Sequence, residues 1–500
     1  MKAEKLLHAI GKIKDGYVQE AAPDEMTVQR AVRDLPPQPV QRHRRRWLTG
    51  AVAAVLVMAV CAGSLLLPDT SPTASALALA EAAYPQWAPY PNENEYLLPD
   101  GSLSEEFDVQ YDAWWSQRRA AMEARPDEDY LAGMAPFTTR MMQALLGGTE
   151  NRVCSPLNLY IALAMLAETT EGQSRQQVLD LLGVQDVQTL REQTKRAWES
   201  MYRDDGATTT LLANSVWLSE DIPYRQSLLD TLAQDYYASS YAGEMGSREL
   251  NGAMQDWINE QTGGLLKEQA QGLELDPNTV MALASTLYFR ARWNSEFDPA
   301  QTEQGAFTCS DGSTVDCEFM HKRTPSLTYF YGEGYSAISL SFDNSGSMLL
   351  MLPDEGWTTE ELLQDAAACS ILRGSPDETV GTASPIVNLS MPKFDVASDL
   401  ELSETLQKLG ITEVFGPDAD FSPILEDAEG LSLSQVNHAA RVVVDEEGCE
   451  AAAYTMMATS GSAAPPDEEV DFTLDRPFLF SITGLENLPL FVGTVQNPVA

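Results

Sequence analysis

At 500 residues with 44% apolar content, the chain is longer than one small domain needs and can bury a sizeable core. A net charge of −42 argues against a nucleic-acid binder and against attraction to anionic lipid, and favours basic partners. The charge is uneven: residues 1–46 carry ten Lys and Arg against six Asp and Glu, so nearly all the acidity lies beyond them. Six scattered cysteines without a Cys-x-x-Cys pair give no basis for a structural zinc site, and no metal or cofactor is expected.

In chain order, residues 1–46 read as a cytoplasmic segment ending in Arg42-His43-Arg44-Arg45-Arg46. Trp47–Leu67 follows as 21 uncharged residues, long enough for a transmembrane helix. Positive charge before a span stays inside. The expectation is therefore a single-pass cell-membrane protein with its N-terminus cytoplasmic and its bulk extracellular. Ala-x-Ala sequences within Ser75–Ala80 leave secretion after cleavage as the alternative. Residues 68–128, rich in Pro, Ala, Asn and acids with several aromatics, read as an extracytoplasmic stalk or linker able to pack in part on the domain. Residues 129–500 read as the folded domain.

Within that domain, helical spacing covers Tyr130–Leu146, Leu157–Ala167, Thr170–Leu182 and Leu250–Glu260. Ser155-Pro156 caps the second of these, and Gly183 stops the third. Strand-like runs come later: Val280–Phe289, Tyr329–Leu340, Met348–Leu352, Ile386–Met391, Arg441–Asp445, Phe478–Ile482 and Leu490–Val495. Helices first and strands second point to an α+β domain. Cys309 and Cys317 flank a four-residue turn, where a hairpin disulfide or two buried free thiols would both fit.

Catalytic chemistry is not evident. There is no HExxH, GxSxG, Walker loop or GxGxxG. Of four histidines, only His321 and His438 lie in the domain. His321 reads as solvated and His438, beside an apolar strand, as a hydrogen-bonded core residue. An enzyme is not expected. The distinctive stretch is Glu446–Pro466, small, polar and unable to build a core. A connection of that length in a packed domain is functional or disordered.

Several motifs together are similar to those of the serpin family, from Tyr130 to Pro498. Asn151–Asn158 resembles the family's entry into its second helix. Leu250–Gly263, with Trp257, Ile258, Asn259 and Thr262, resembles a later family helix. Leu287-Tyr288-Phe289 with Trp293 and Phe297 resembles the strand and turn at the top of the central sheet. Arg476-Pro477-Phe478 and Phe491-Val492-Gly493 resemble the C-terminal signature. The hinge Glu446-Glu447-Gly448-Cys449-Glu450-Ala451-Ala452-Ala453-Tyr454-Thr455 resembles the start of a reactive-centre loop.

The resemblance implies three β-sheets, about eight to nine helices and an exposed reactive-centre loop. It implies an irreversible suicide-substrate inhibitor acting as a monomer: a serine protease cuts the loop and is trapped as the loop inserts into the sheet. Counting along the loop from Gly448 places the scissile bond at Ser462-Ala463, with Thr459, Ser460 and Gly461 before it. Without Lys or Arg there, the implied targets are elastase-like or subtilisin-like. A non-inhibitory member, cleaved as a substrate or acting as a binding module, is the alternative. From Gly448 onward one face carries Cys449, Ala451, Ala453 and Thr455, all able to be buried in a strand; Tyr454 departs from the usual small residue. The resemblance also assigns a shutter beneath the sheet to Ser155, Asn158, Ser285 and His438, with Asn158 and Ser285 exchanging the family's Ser and Asn. It assigns a breach at the sheet top to Trp293, Lys393 and Glu446.

Overall fold

The computed structural model describes residues 74–99, 101–343, 345–425, 432–433, 436–449, 468–484 and 487–500. The chain begins with strand β1 (Ala78–Ala80) and helices α1 (Glu105–Glu123) and α2 (Glu128–Leu145). Then come β2 (Arg152–Cys154), α3 (Pro156–Thr169), α4 (Gly172–Leu182), α5 (Val187–Met201), β3 (Arg203–Asp204) and β4 (Thr209–Ser219). Next are α6 (Gln226–Asp235), β5 (Ala238–Gly243), α7 (Arg248–Gln261), α8 (Lys267–Gln271), β6 (Met281–Arg292), β7 (Glu303–Thr308) and β8 (Thr314–Thr324). β9 (Tyr329–Gly332), β10 (Tyr335–Phe342), β11 (Gly346–Pro353), α9 (Thr359–Gln364), α10 (Ala366–Leu372), β12 (Gly381–Ala383), β13 (Ile386–Pro392), β14 (Phe394–Glu401) and α11 (Ser403–Lys408) follow. The chain closes with β15 (Asn437–Val444), β16 (Gly448–Cys449), β17 (Glu469–Thr473), β18 (Phe478–Thr483) and β19 (Pro489–Val495).

These strands form three sheets. The central one runs β1-β5-β4-β6-β16-β15-β14, with β3 paired to β4; a second runs β12-β9-β10-β11-β18-β19-β2; the third runs β17-β13-β8-β7. The α+β expectation holds, with eleven α-helices among the described residues where eight to nine were expected. The excess includes α8, too short to show a helical period, and α1, whose residues read as stalk.

α3 is apolar nearly all round and buried along its whole length, so it runs through the core. Ser155 caps it, its side chain accepting the Asn158 N–H, and Pro156 occupies the first turn, where a missing N–H costs nothing. α4 ends at Gly183, left-handed at φ 74°, where a Cβ would sit 2.9 Å from the Gly133 carbonyl oxygen. Tyr329–Leu340, expected as one strand, is the hairpin β9–β10, because the chain reverses through Glu333-Gly334 with Gly334 at φ 80°.

The described part of the expected stalk packs against the domain. β1 pairs with β5 through Ala78–Tyr241 and Ala80–Ser240. The Tyr84 ring stacks on Tyr202 and Trp198, at 5.6 and 5.9 Å between centroids. Trp114 of α1 is 2% exposed, and its indole N–H donates to Asp205 Oδ2 at 2.6 Å. Aromatics spread irregularly among polar residues carry no period, so the sequence allowed partial packing here but did not show which residues make it.

The single-pass cell-membrane placement is corrected. No helix among the described residues is long and apolar enough to cross a membrane, and Trp47–Leu67 lies outside the described residues, as does the segment 1–46. A span needs an unbroken apolar helix of about 20 residues, and the described residues contain none. Cys309 and Cys317 are both buried, with free thiols.

Candidate functional site

The site is an opening in the central sheet. β4 pairs with β6 along its length, from Thr209–Arg290 to Leu218–Met281, and β14 pairs with β15 from Phe394–Val444 to Glu401–Asn437. Between these two halves the only strand among the described residues is β16. Gly448 pairs with Arg292 and Cys449 with Ala291 on one side, and Cys449 pairs with Val444 on the other. Below this point the position between β6 and β15 carries no strand among the described residues. A cleft of about 350 Å³ opens there, bordered by Ala282–Thr286 of β6, by Asn437 and Ala439 of β15, and by Met254 and Ile258 of α7.

Gly448 and Cys449, which the resemblance assigns to the hinge, therefore stand two residues deep in the sheet. Gly448 is required by close approach, since a Cβ there would collide with the Ala291 carbonyl oxygen and the Arg292 Cα. Cys449 is 3% exposed, facing into the core as the alternation of a strand demands. Glu450–Thr455 of the hinge, Thr459–Gly461 and the Ser462-Ala463 bond lie outside the described residues.

The residues assigned to the breach converge above the hinge. Trp293 is 3% exposed and stacks on Phe342 at 4.8 Å. Its indole N–H donates to the Asp445 carbonyl at 3.0 Å, and its backbone N–H donates to the Glu447 carbonyl at 3.0 Å. Lys393 Nζ lies 2.8 Å from Glu446 Oε1, with the two side chains 31% and 13% exposed. Thr302 adds a hydroxyl donor to the same carboxylate at 2.8 Å. The pairing with Glu446 raises the Lys393 pKa. On Glu446 the hydrogen bonds from Lys393 and Thr302 outweigh the opposing effect of burial, the largest single influence, so its pKa falls.

Beneath the opening, Ser155, Asn158, Ser285 and His438 come together. The Ser155 N–H donates to His438 Nε2 at 3.0 Å, and Asn158 Nδ2 donates to the Ser285 carbonyl at 2.9 Å. The Ser285 hydroxyl touches Asn158 Oδ1. It also lies 2.6 Å from Asn214 Oδ1, and its single proton serves one of these acceptors at a time. An accepting Nε2 requires a neutral imidazole, and burial pushes the His438 pKa down to about 4. Sequence reasoning missed Asn214. The available signal was the single amide side chain within Thr209–Ser219, 0% exposed in the fold. His321, expected in a solvated turn, sits within β8 and is half-buried.

No group of His, Cys, Asp and Glu among the described residues is arranged to hold a metal. What the arrangement can do is mechanical: accept a strand between β6 and β15 once the two halves separate.

The comparisons agree with this geometry. The family model described as Serpin (serine protease inhibitor) matches residues 132–498. Serpin-Z2B of Triticum aestivum is 28% identical over 389 residues, covering 74% of this chain and 96% of that protein. The crystal structure of tengpin, a thermophilic serpin, in its native state is 26% identical, with a TM-score of 0.66 over 74% of this chain and 95% of that one. The same protein in its latent state gives a TM-score of 0.60 at 25% identity, over 74% of this chain and 98% of that one. The chain belongs to the serpin family. Its members are typically protease inhibitors rather than enzymes, though some do not inhibit.

Proposed function

We propose that this protein is an irreversible inhibitor of serine proteases with small-residue pockets, elastase-like or subtilisin-like. Cleavage at Ser462-Ala463 would leave the protease as an acyl-enzyme, and the freed loop would enter the sheet between β6 and β15. The observation that carries this reading is the hinge: Gly448 and Cys449 already occupy the first two rungs above an open cleft. Strand addition then only extends a register that exists. The absence of Lys and Arg in Thr459–Ala463 supports small-residue targets over trypsin-like ones.

The test is incubation with an elastase-like and a subtilisin-like protease, read on denaturing gels. A covalent complex resistant to SDS supports the proposal. Cleavage without a complex would instead support the non-inhibitory reading. Ser462→Arg should redirect the complex to a trypsin-like protease; if that variant is cut at an unchanged bond and ignores trypsin, the assigned bond is wrong.

A further inference from the structure

The hydrogen bonds of the shutter continue past the sheet. Glu168, near the far end of α3, is 2% exposed. Its carboxylate takes two bonds from Arg191 of α5, Nε to Oε1 at 2.6 Å and Nη2 to Oε2 at 2.9 Å. It also accepts the Tyr236 hydroxyl at 3.0 Å. Tyr236 follows α6 directly and leads into β5. Its carbonyl accepts Asn214 Nδ2 at 2.8 Å, and Asn214 Oδ1 lies beside the Ser285 hydroxyl.

α3 is thus fastened to the β5-β4-β6 half of the sheet at two points about 15 Å apart along its axis, Asn158–Ser285 and Glu168–Tyr236. It is fastened to the β15 half by the Ser155–His438 bond. Adding a strand widens the gap between β6 and β15 by about 4.8 Å. β6 cannot move alone, because β4 is paired along it and β5 along β4. The chain entering α3 is held to the other half, the Val153 N–H of β2 donating to Ser398 Oγ of β14 at 2.9 Å, so Tyr236, which leads into β5, moves with its own half relative to α3.

We infer that Glu168 and Tyr236, with Arg191 holding the carboxylate, form a second latch on the opening of the central sheet, and that Tyr236 and Glu168 are positioning residues for strand insertion. This rests on the insertion mechanism proposed above. The latch is intact while the sheet is closed and broken once a strand is in, so it acts on the rate of opening and not on the inserted product.

The experiment uses the full chain and a fluorescent synthetic peptide with the sequence of residues 448–462, its uptake followed on native gels. Tyr236→Phe removes only the hydroxyl. It should take up the peptide about tenfold faster than wild type, the effect of losing one hydrogen bond to a buried charged group, while the peptide-bound form melts at the wild-type temperature. Leu229→Ala, on α6 and 1% exposed, controls for general loosening: it should lower both melting temperatures and leave uptake within about twofold. Uptake by Tyr236→Phe at the wild-type rate would overturn the latch, as would equal acceleration by Leu229→Ala. If wild type forms no SDS-resistant protease complex while Tyr236→Phe still accelerates peptide uptake, the inhibitory reading fails and the latch stands.

Discussion

Acidification should loosen the closed sheet through one residue. His438 is buried, its pKa drawn down from 6.5 to about 4 by desolvation, and its Nε2 must remain unprotonated to accept the Ser155 N–H. In the unfolded chain the imidazole binds its proton near pH 6.5. Between these two values the unfolded state binds more protons than the folded one, so stability rises with pH across the window. It is complete above about pH 6.5 and falls as the pH drops toward 4. A difference of about 2.5 pH units corresponds to about 3 kcal/mol. The perturbation is His438→Gln, which retains an acceptor but does not titrate. The assay is urea unfolding of both proteins at intervals from pH 7.5 to 4. Subtracting one curve from the other removes the many carboxylates common to both. Wild type should lose about 3 kcal/mol relative to the variant between pH 7 and 4. A flat difference would show that His438 is not held neutral by burial and would remove the physical basis for its place in the shutter.

Gly448→Val should drive the hinge from between the two sheet halves, since any side chain meets the Ala291 carbonyl. A cost of about 1–3 kcal/mol should appear with faster proteolysis near residue 448 and a loss of SDS-resistant complex; unchanged proteolysis would place the hinge outside the sheet. Lys393→Ala removes a partly exposed partner of Glu446, so thermal stability should fall by only about 1 kcal/mol, less at high salt. A loss of several kcal/mol would mean the pair is far better shielded than its exposure indicates. Trp114→Ala should cost about 3–5 kcal/mol in the unfolding of the whole domain, because α1 is packed through this ring and its bond to Asp205. A loss below about 1 kcal/mol would return residues 74–124 to the status of a linker.

Much of the fold was legible because it is written locally. Ser155-Pro156 before an apolar run marks the start of α3, and Gly183 marks the end of α4, since caps and left-handed stops depend on neighbours a few residues away. The runs Ile386–Met391, Arg441–Asp445, Phe478–Ile482 and Leu490–Val495 were legible as β13, β15, β18 and β19 for the same reason, whereas β14 was not read despite its period-two burial along Phe394–Glu401. The motifs from Asn151 to Asn497 carried the family. α5, α6 and β4 were not read. In β4 nearly every residue from Thr209 to Leu218 is buried on both faces, which leaves no alternation to detect.

The sequence by itself carried the motifs of the family and marked Gly448 as a candidate hinge and Ser155, Asn158, Ser285 and His438 as candidate shutter residues. Tertiary structure alone decided how far the hinge enters the sheet, that Asn214 shares Ser285 with Asn158, and that Glu168, Arg191 and Tyr236 meet. It also decided that residues 74–124 are a layer of the domain. These contacts join elements tens to hundreds of residues apart, and a hydrogen bond depends on ångström-scale placement that no local pattern encodes. Glu168 shows the difference most plainly. In the sequence it is one acid among 74 Asp and Glu. In the fold it is a buried carboxylate with an arginine and a tyrosine closed around it.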